Sequence, residues 1–173
     1  MAVFILRTRT LESMGCFMNT WDIDEGVVEF PSGTRIRGRS WHQPISEYAD
    51  VSAILTTATP EEFSQRGAVS MAREVVYISW PDNRVPRRPR QALNQLHELL
   101  DRSRNERVEI TCGGGVGRTG TALAILAIFD GMQVDEAIAF VRSCYNEKSV
   151  TEHAQRGFLA EVEPDAAQSD LNS

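Results

Sequence analysis

Between residues 107 and 130 the chain passes from a β-rich segment, RVEIT (107–111), through Cys112-Gly-Gly-Gly-Val-Gly-Arg118-Thr119-Gly120 into TALAILAIFD (121–130). No other stretch constrains the chain so strongly. RVEIT has the composition of a strand, and residues 121–130 are apolar nearly all round, as expected of a helix enclosed by a core. The loop between them holds Gly113, Gly114, Gly115 and Gly117. Without Cβ atoms, successive backbone N–H groups can turn to one side and form an anion-binding nest. The following helix N-terminus adds unpaired amides and the positive end of its dipole. Arg118 adds a planar fork that fits two oxygens of one phosphate, which lysine does not imitate. The segment therefore predicts a phosphate site formed by Gly113, Gly114, Gly115, Val116, Gly117 and Arg118.

The same donors act on Cys112. A field that attracts a dianion also stabilises a thiolate, giving a nucleophile at neutral pH without a dedicated base. Thr119 is placed to donate its hydroxyl to the sulfur when sulfur becomes the leaving group. Rival readings of the loop are weaker. Gly115-x-Gly117-x-x-Gly120 satisfies the dinucleotide-binding pattern, but that fold wants an acidic residue after a second strand about 20 residues on, where this chain reads as helical. A nucleotide P-loop needs lysine where Arg118 stands. A cysteine in a glycine-rich turn can also be simple packing.

A phosphoryl transfer needs a proton for the departing oxygen. WPDNRVP (80–86) offers Asp82 in a turn after a β-rich run, EVVYIS (74–79), with Trp80, Pro81 and Pro86 to stiffen it into a flap. Taken alone, Pro-Asp-Asn reads as a turn signal. Elsewhere, VFIL (3–6), VVEF (27–30) and VSAIL (51–55) read as strands. Thr59-Pro60-Glu61-Glu62 reads as a capped helix start. Helices are expected over 90–104, with Leu93, Leu96, Leu99 and Leu100 on one face, and over 135–145 and 151–162. This alternation predicts an α/β fold: a central mixed, largely parallel sheet with helices on both faces.

Together, these residues resemble a known family. The loop from Cys112 to Gly120 looks like the signature loop of the cysteine-dependent protein tyrosine phosphatase and dual-specificity phosphatase superfamily. Trp80-Pro81-Asp82 looks like the acid loop of the tyrosine-specific branch. Ser149-Val-Thr-Glu-His-Ala-Gln155-Arg-Gly-Phe158 is similar to the family's glutamine loop. The resemblance spans roughly residues 50 to 160 and points to a compact, bacterial-like member. It implies a phosphocysteine on Cys112, with oxygens held by Arg118 and the loop amides. It further implies protonation of the leaving group by Asp82 and water positioned by Gln155. The domain organisation implied is one catalytic domain over 1–162 and a polar, disordered tail over 163–173. One departure is Thr111, where the family usually carries the histidine that braces the loop. That departure keeps open an inactive, phosphate-binding pseudophosphatase. A phosphatase for a non-protein phosphoester is a second alternative.

The bulk numbers narrow the partners. The chain has 173 residues, enough for one domain with a full core, and a net charge of −6. That charge argues against nucleic acid and against anionic membranes. Residues 113–117 contain no lysine, which favours a phosphorylated protein or peptide over a polyphosphorylated inositide. Arg84, Arg87, Arg88, Arg90, Arg35, Arg37 and Arg39 either line the mouth and favour acidic flanking sequence or are solvated surface charges. Cys16, Cys112 and Cys144 form no C-x-x-C pair and no zinc spacing. No metal and no cofactor are expected, and a reducing, cytoplasmic setting is. Cys16 or Cys144 pairing with an oxidised Cys112 is a minor reading. His153 is expected at the surface, and His42 and His97 carry no motif.

Overall fold

The computed structural model describes residues 21–45, 47–65 and 70–162. The candidate strand at 3–6, Cys16 and the tail at 163–173 lie outside the described residues. Five strands, β1 (Val27–Glu29), β2 (Arg35–Ser40), β3 (Ala49–Thr56), β4 (Ala72–Ser79) and β5 (Val108–Cys112), form one sheet in the order β1-β2-β5-β3-β4. β1 runs antiparallel to β2, and every other neighbouring pair is parallel. The expected mixed, largely parallel sheet is what forms.

The helices are α1 (Pro60–Gln65), α2 (Pro89–Arg102), α3 (Gly117–Phe129), α4 (Val134–Cys144) and α5 (His153–Leu159). Thr59 and Glu62 close the expected capping box, each side chain accepting from the other's backbone N–H. α3 is buried from Arg118 to Ile128 and is the hub against which α2, α4, α5 and the strands β2 and β5 pack. Burial on every side explains its apolar composition. It begins at Gly117, inside the glycine loop and ahead of the expected start at 121. α1 serves the opposite face through Phe63, whose ring meets Tyr77 edge-on at 6.1 Å and Trp41 at 5.2 Å.

Strand alternation sorts β5 into two faces. Val108, Ile110 and Cys112 share one face, Glu109 and Thr111 the other. Register brings Arg37, Glu109 and Ser52 side by side on the second face. RIRGRS, an arginine-rich stretch in the sequence, is thus an inner strand. Arg37 and Arg39 are 7% and 6% exposed, so they are not solvated surface charges, although both border a cleft of about 470 Å³ beside Gly114, Gly115 and Val116. Both close on Glu109, at 2.7 and 2.9 Å, and Ser52 Oγ donates to the same carboxylate at 2.8 Å. Two guanidiniums and a hydroxyl make burial of that carboxylate tolerable.

β5 lies between β2 and β3, although the chain has already built β3 and β4 before reaching it. Ligands of parallel α/β sheets bind outside the carboxyl ends of the strands, near such reversals of order. Here those ends are Ser40-Trp41 after β2, Thr56 after β3, Trp80 after β4 and Cys112 in β5.

Candidate active site

Cys112 closes β5, is 2% exposed, and gives its carbonyl to the backbone N–H of Trp41 at 3.1 Å. The loop Gly113–Val116 then turns into α3. Gly115 has φ +68°, and a Cβ there would stand 2.4 Å from the backbone nitrogen of Ser40. Only glycine fits that turn. Val116, at the N-cap of α3, offers no side-chain cap. Among the described residues, no backbone amide from Gly113 to Thr119 has an acceptor within the protein. Seven consecutive N–H groups at a strand-to-helix junction are a site for negative charge.

Arg118 is 8% exposed and fixed from below. Its Nη1 donates to the carbonyls of Leu55 at 3.0 Å and Trp80 at 3.2 Å. Nε is buried without a hydrogen-bond partner, although Asp82 Oδ1 is 3.3 Å away. That distance allows ion pairing but lies off the hydrogen-bond direction. The acid-loop residue and the loop arginine, 36 positions apart in sequence, are therefore adjacent in space.

Trp80 anchors the acid loop. It is fully buried, meets Phe158 edge-on at 6.3 Å, and donates its indole N–H to the Arg84 carbonyl at 2.7 Å. Its own N–H reaches the end of β3 at Thr56, and the N–H of Arg87 returns to Ser79. Asp82 projects from this closed loop with its side chain 74% exposed, followed by Asn83 at φ 54°. Asparagine tolerates that left-handed backbone.

Gln155 lies on α5, 1% exposed, with neither amide atom partnered. A Cβ on Gly117 would stand 3.7 Å from its Nε2, which puts Gln155 beside the loop. Thr119 is fully buried with an unpartnered hydroxyl, and so is Ser149. Ser149 opens the stretch similar to the glutamine loop, but sequence reasoning assigned it no role of its own. It packs against Gly120, where a Cβ would come within 2.3 Å of its Oγ. Ser40 and Tyr145 were also missed. Ser40 Oγ donates to the Gly113 carbonyl at 2.5 Å and the Tyr145 hydroxyl to the Gly115 carbonyl. Neither belongs to a motif, and both contacts span more than 25 positions.

Other candidates fall elsewhere. Arg84 within the acid loop and Arg87, Arg88 and Arg90 after it are exposed, His153 is exposed, and so is Cys144. Among the described residues, no group of three or more His, Cys, Asp or Glu side chains is arranged to hold a metal ion. No helix among them is long and apolar enough to cross a membrane.

A cysteine at a strand's end, a glycine loop of unpaired amides, a tethered arginine and a neighbouring acidic turn meet at one edge of the sheet, the set of parts expected of the cysteine-dependent phosphatase class. The chain belongs to the protein-tyrosine phosphatase family, whose sequence pattern matches residues 43–155, more than half of its length. It is 44% identical over 59 residues to an uncharacterised protein of Methanocaldococcus jannaschii, a match covering 34% of this chain and 39% of that one. Among solved structures it is similar to Tk-PTP in its active form, with a TM-score of 0.58 and 24% identity over 80% of this chain and 96% of that one. It is also similar to kinase associated phosphatase with its catalytic-site cysteine replaced by serine, with a TM-score of 0.50 and 19% identity over 65% of this chain and 68% of that one. At these identities the structural likenesses speak to the fold.

Proposed function

We propose that this phosphatase hydrolyses phosphotyrosine in protein substrates through a phosphocysteine on Cys112. The observation that carries the reading is the convergence of the unpaired amides of residues 113–119, the tethered Arg118 guanidinium and Asp82 around the end of β5. In the first step the Cys112 thiolate attacks phosphorus, a sulfur–phosphorus bond forms and the ester oxygen–phosphorus bond breaks. Asp82 gives its proton to the departing phenolic oxygen. In the second step water attacks phosphorus, its proton passes to the Asp82 carboxylate, and the sulfur leaves as a thiolate.

Arg118 and the loop amides hold the equatorial oxygens in both steps, where charge spreads during transfer. A bound phosphate dianion competes with Asp82 for the guanidinium and releases the carboxyl toward the leaving group. Thr119 donates to the leaving sulfur. Gln155, with both amide atoms unpartnered beside Gly117, orients the water. The absence of lysine from residues 113–117 favours a singly phosphorylated side chain over a multiply charged head group.

The test is turnover of p-nitrophenyl phosphate in EDTA, with inhibition by vanadate, followed by a panel of phosphotyrosine, phosphoserine and phosphothreonine peptides. Cys112→Ser is expected to abolish turnover and trapping of labelled phosphoenzyme. Residual turnover in that variant would exclude the covalent route. Preference for phosphoserine or phosphothreonine peptides would exclude the tyrosine assignment.

A further inference from the structure

A trans peptide points its C=O and the next residue's N–H in opposite directions. Fixing a carbonyl on one side of a loop therefore fixes an amide on the other. Three carbonyls of the glycine loop are fixed in this way. Cys112 O accepts from Trp41 N, Gly113 O from Ser40 Oγ at 2.5 Å, and Gly115 O from the Tyr145 hydroxyl. The amides across those peptides are Gly113, Gly114 and Val116, and none has an acceptor among the described residues. The donors lie at the carboxyl end of β2 and at the C-cap of α4, so the loop is gripped on its outer side.

We propose that Ser40 and Tyr145 are positioning residues for the phosphate-binding amides. By holding the Gly113 and Gly115 carbonyls outward, they aim the Gly114 and Val116 N–H groups at the oxyanion. The inference rests on the phosphatase reading of this loop and adds the residues that shape it.

The surroundings are cut to fit the grip. A Cβ on Gly38 would stand 2.7 Å from the Tyr145 ring, so β2 carries a glycine where the phenol seats. A Cβ on Gly115 would strike the Ser40 backbone, so loop and strand touch directly. Burial, and after it the negative charge of Cys112, raises the Tyr145 hydroxyl above its ordinary pKa and keeps it a donor through the neutral range. Thr111, standing where the family usually has its bracing histidine, turns its hydroxyl to the Ala53 carbonyl at 3.4 Å, on the other face of the sheet. In this chain the brace comes from β2 and α4.

Tungstate, an unreactive tetrahedral oxyanion, tests this by titration calorimetry alongside melting temperatures and p-nitrophenyl phosphate kinetics. Tyr145→Phe and Ser40→Ala each remove one oxygen. Each is expected to raise the tungstate Kd and lower kcat/KM about 10-fold, because one amide loses its aim. The double variant is expected to lose on the order of 100-fold if the two effects add. Ser40→Thr, which keeps the hydroxyl, is expected to retain affinity. If either single variant melts at the wild-type temperature yet binds tungstate within about twofold of wild type, well under one lost hydrogen bond, the proposal is overturned. Should Tyr145→Phe not fold, Ser40→Ala against Ser40→Thr decides the matter. A wild-type protein that binds no tungstate would sink the phosphatase reading itself, whereas unaffected variants beside a binding wild type would sink only the brace.

Discussion

Among the described residues two polar clusters built around arginine are buried, and they are treated in opposite ways. On one face of the sheet Glu109 takes five hydrogen bonds from Arg37, Arg39 and Ser52, at 2.7 to 3.2 Å. Trp21 stacks on Arg37 with Cζ 3.8 Å from the ring centroid. At the carboxyl edge of the same sheet, Arg118 Nε, Thr119 Oγ1, Ser149 Oγ and both amide atoms of Gln155 are buried without partners. Native interiors leave few such atoms unpaired, because each costs about 1–3 kcal/mol. Their convergence on the start of α3 marks that end as the place where a ligand supplies the missing partners. The satisfied cluster holds the sheet together, and the unsatisfied one is left open to a ligand.

Charge-conserving or isosteric changes in the two clusters should therefore separate function from stability. Arg118→Lys keeps the charge but loses the fork and the tether to Leu55 and Trp80. A fall in kcat/KM on the order of 1000-fold is expected, with little change in melting temperature. Glu109→Gln removes the negative charge shared by two buried guanidiniums. A loss of about 3–5 kcal/mol is expected in urea unfolding, with a much smaller change in kcat for the molecules that remain folded. A stable Glu109→Gln protein would break the comparison, and so would an inactive but stable one. Asp82→Asn sharpens the functional side. Turnover should drop about 100-fold while tungstate affinity holds or tightens, since the leaving group loses its proton donor and the oxyanion no longer competes with a carboxylate for Arg118.

Acid titration of stability gives a finer cut. Burial is the largest single influence on Glu109 and pushes its pKa up, but the hydrogen bond and charge of Arg39, with the hydrogen bonds of Arg37 and Ser52, outweigh it and hold the carboxyl below its ordinary value. A carboxylate lowered by folding contributes stability that is present above the unfolded value and lost as pH falls through the folded one. The gap in melting temperature between wild type and Glu109→Gln should therefore narrow steadily on acidification. A gap that stays constant below the ordinary carboxylate range would mean that this cluster is not what acid disrupts.

The two clusters were not equally legible in the sequence. The glycine loop could be read because its pattern is local: Cys112, four glycines and Arg118 sit within seven positions, and a strand and a helix flank them. The acid loop was legible as a second local motif, and its distance from Arg118 then followed from the fold. The burial of Arg37 and Arg39 was not legible because their partner lies some 70 positions away. A charged stretch gives no hint that a carboxylate on another strand will bury it. Ser40 and Tyr145 escaped for the same reason, as single hydroxyls whose meaning comes only from what packs against them. The early start of α3 at Gly117 escaped because glycine carries a poor helix propensity, which the junction overrides.

The smallest expected effect concerns Arg88 and Arg90. A cleft of about 730 Å³ runs between the start of α2 and α5, lined by these two arginines together with Leu93, Phe158 and Glu161. Both guanidiniums are exposed, so each contributes little to a bound chain, typically 0.2–1 kcal/mol. Glu161 on the opposite wall offsets part of that. If the cleft receives sequence flanking the phosphorylated residue, Arg88→Glu with Arg90→Glu should lower kcat/KM for acidic phosphopeptides about two- to threefold. It should leave p-nitrophenyl phosphate, which carries no flank, unchanged. Raising the ionic strength to about 1 M, where the screening length is about 3 Å, should erase the difference. A loss that persists in high salt, or that extends to the small substrate, would place these arginines in the packing of α2 against α5 instead of in recognition. Unlike Arg118, whose charge is buried and tethered, Arg88 and Arg90 can act only through a field that salt removes.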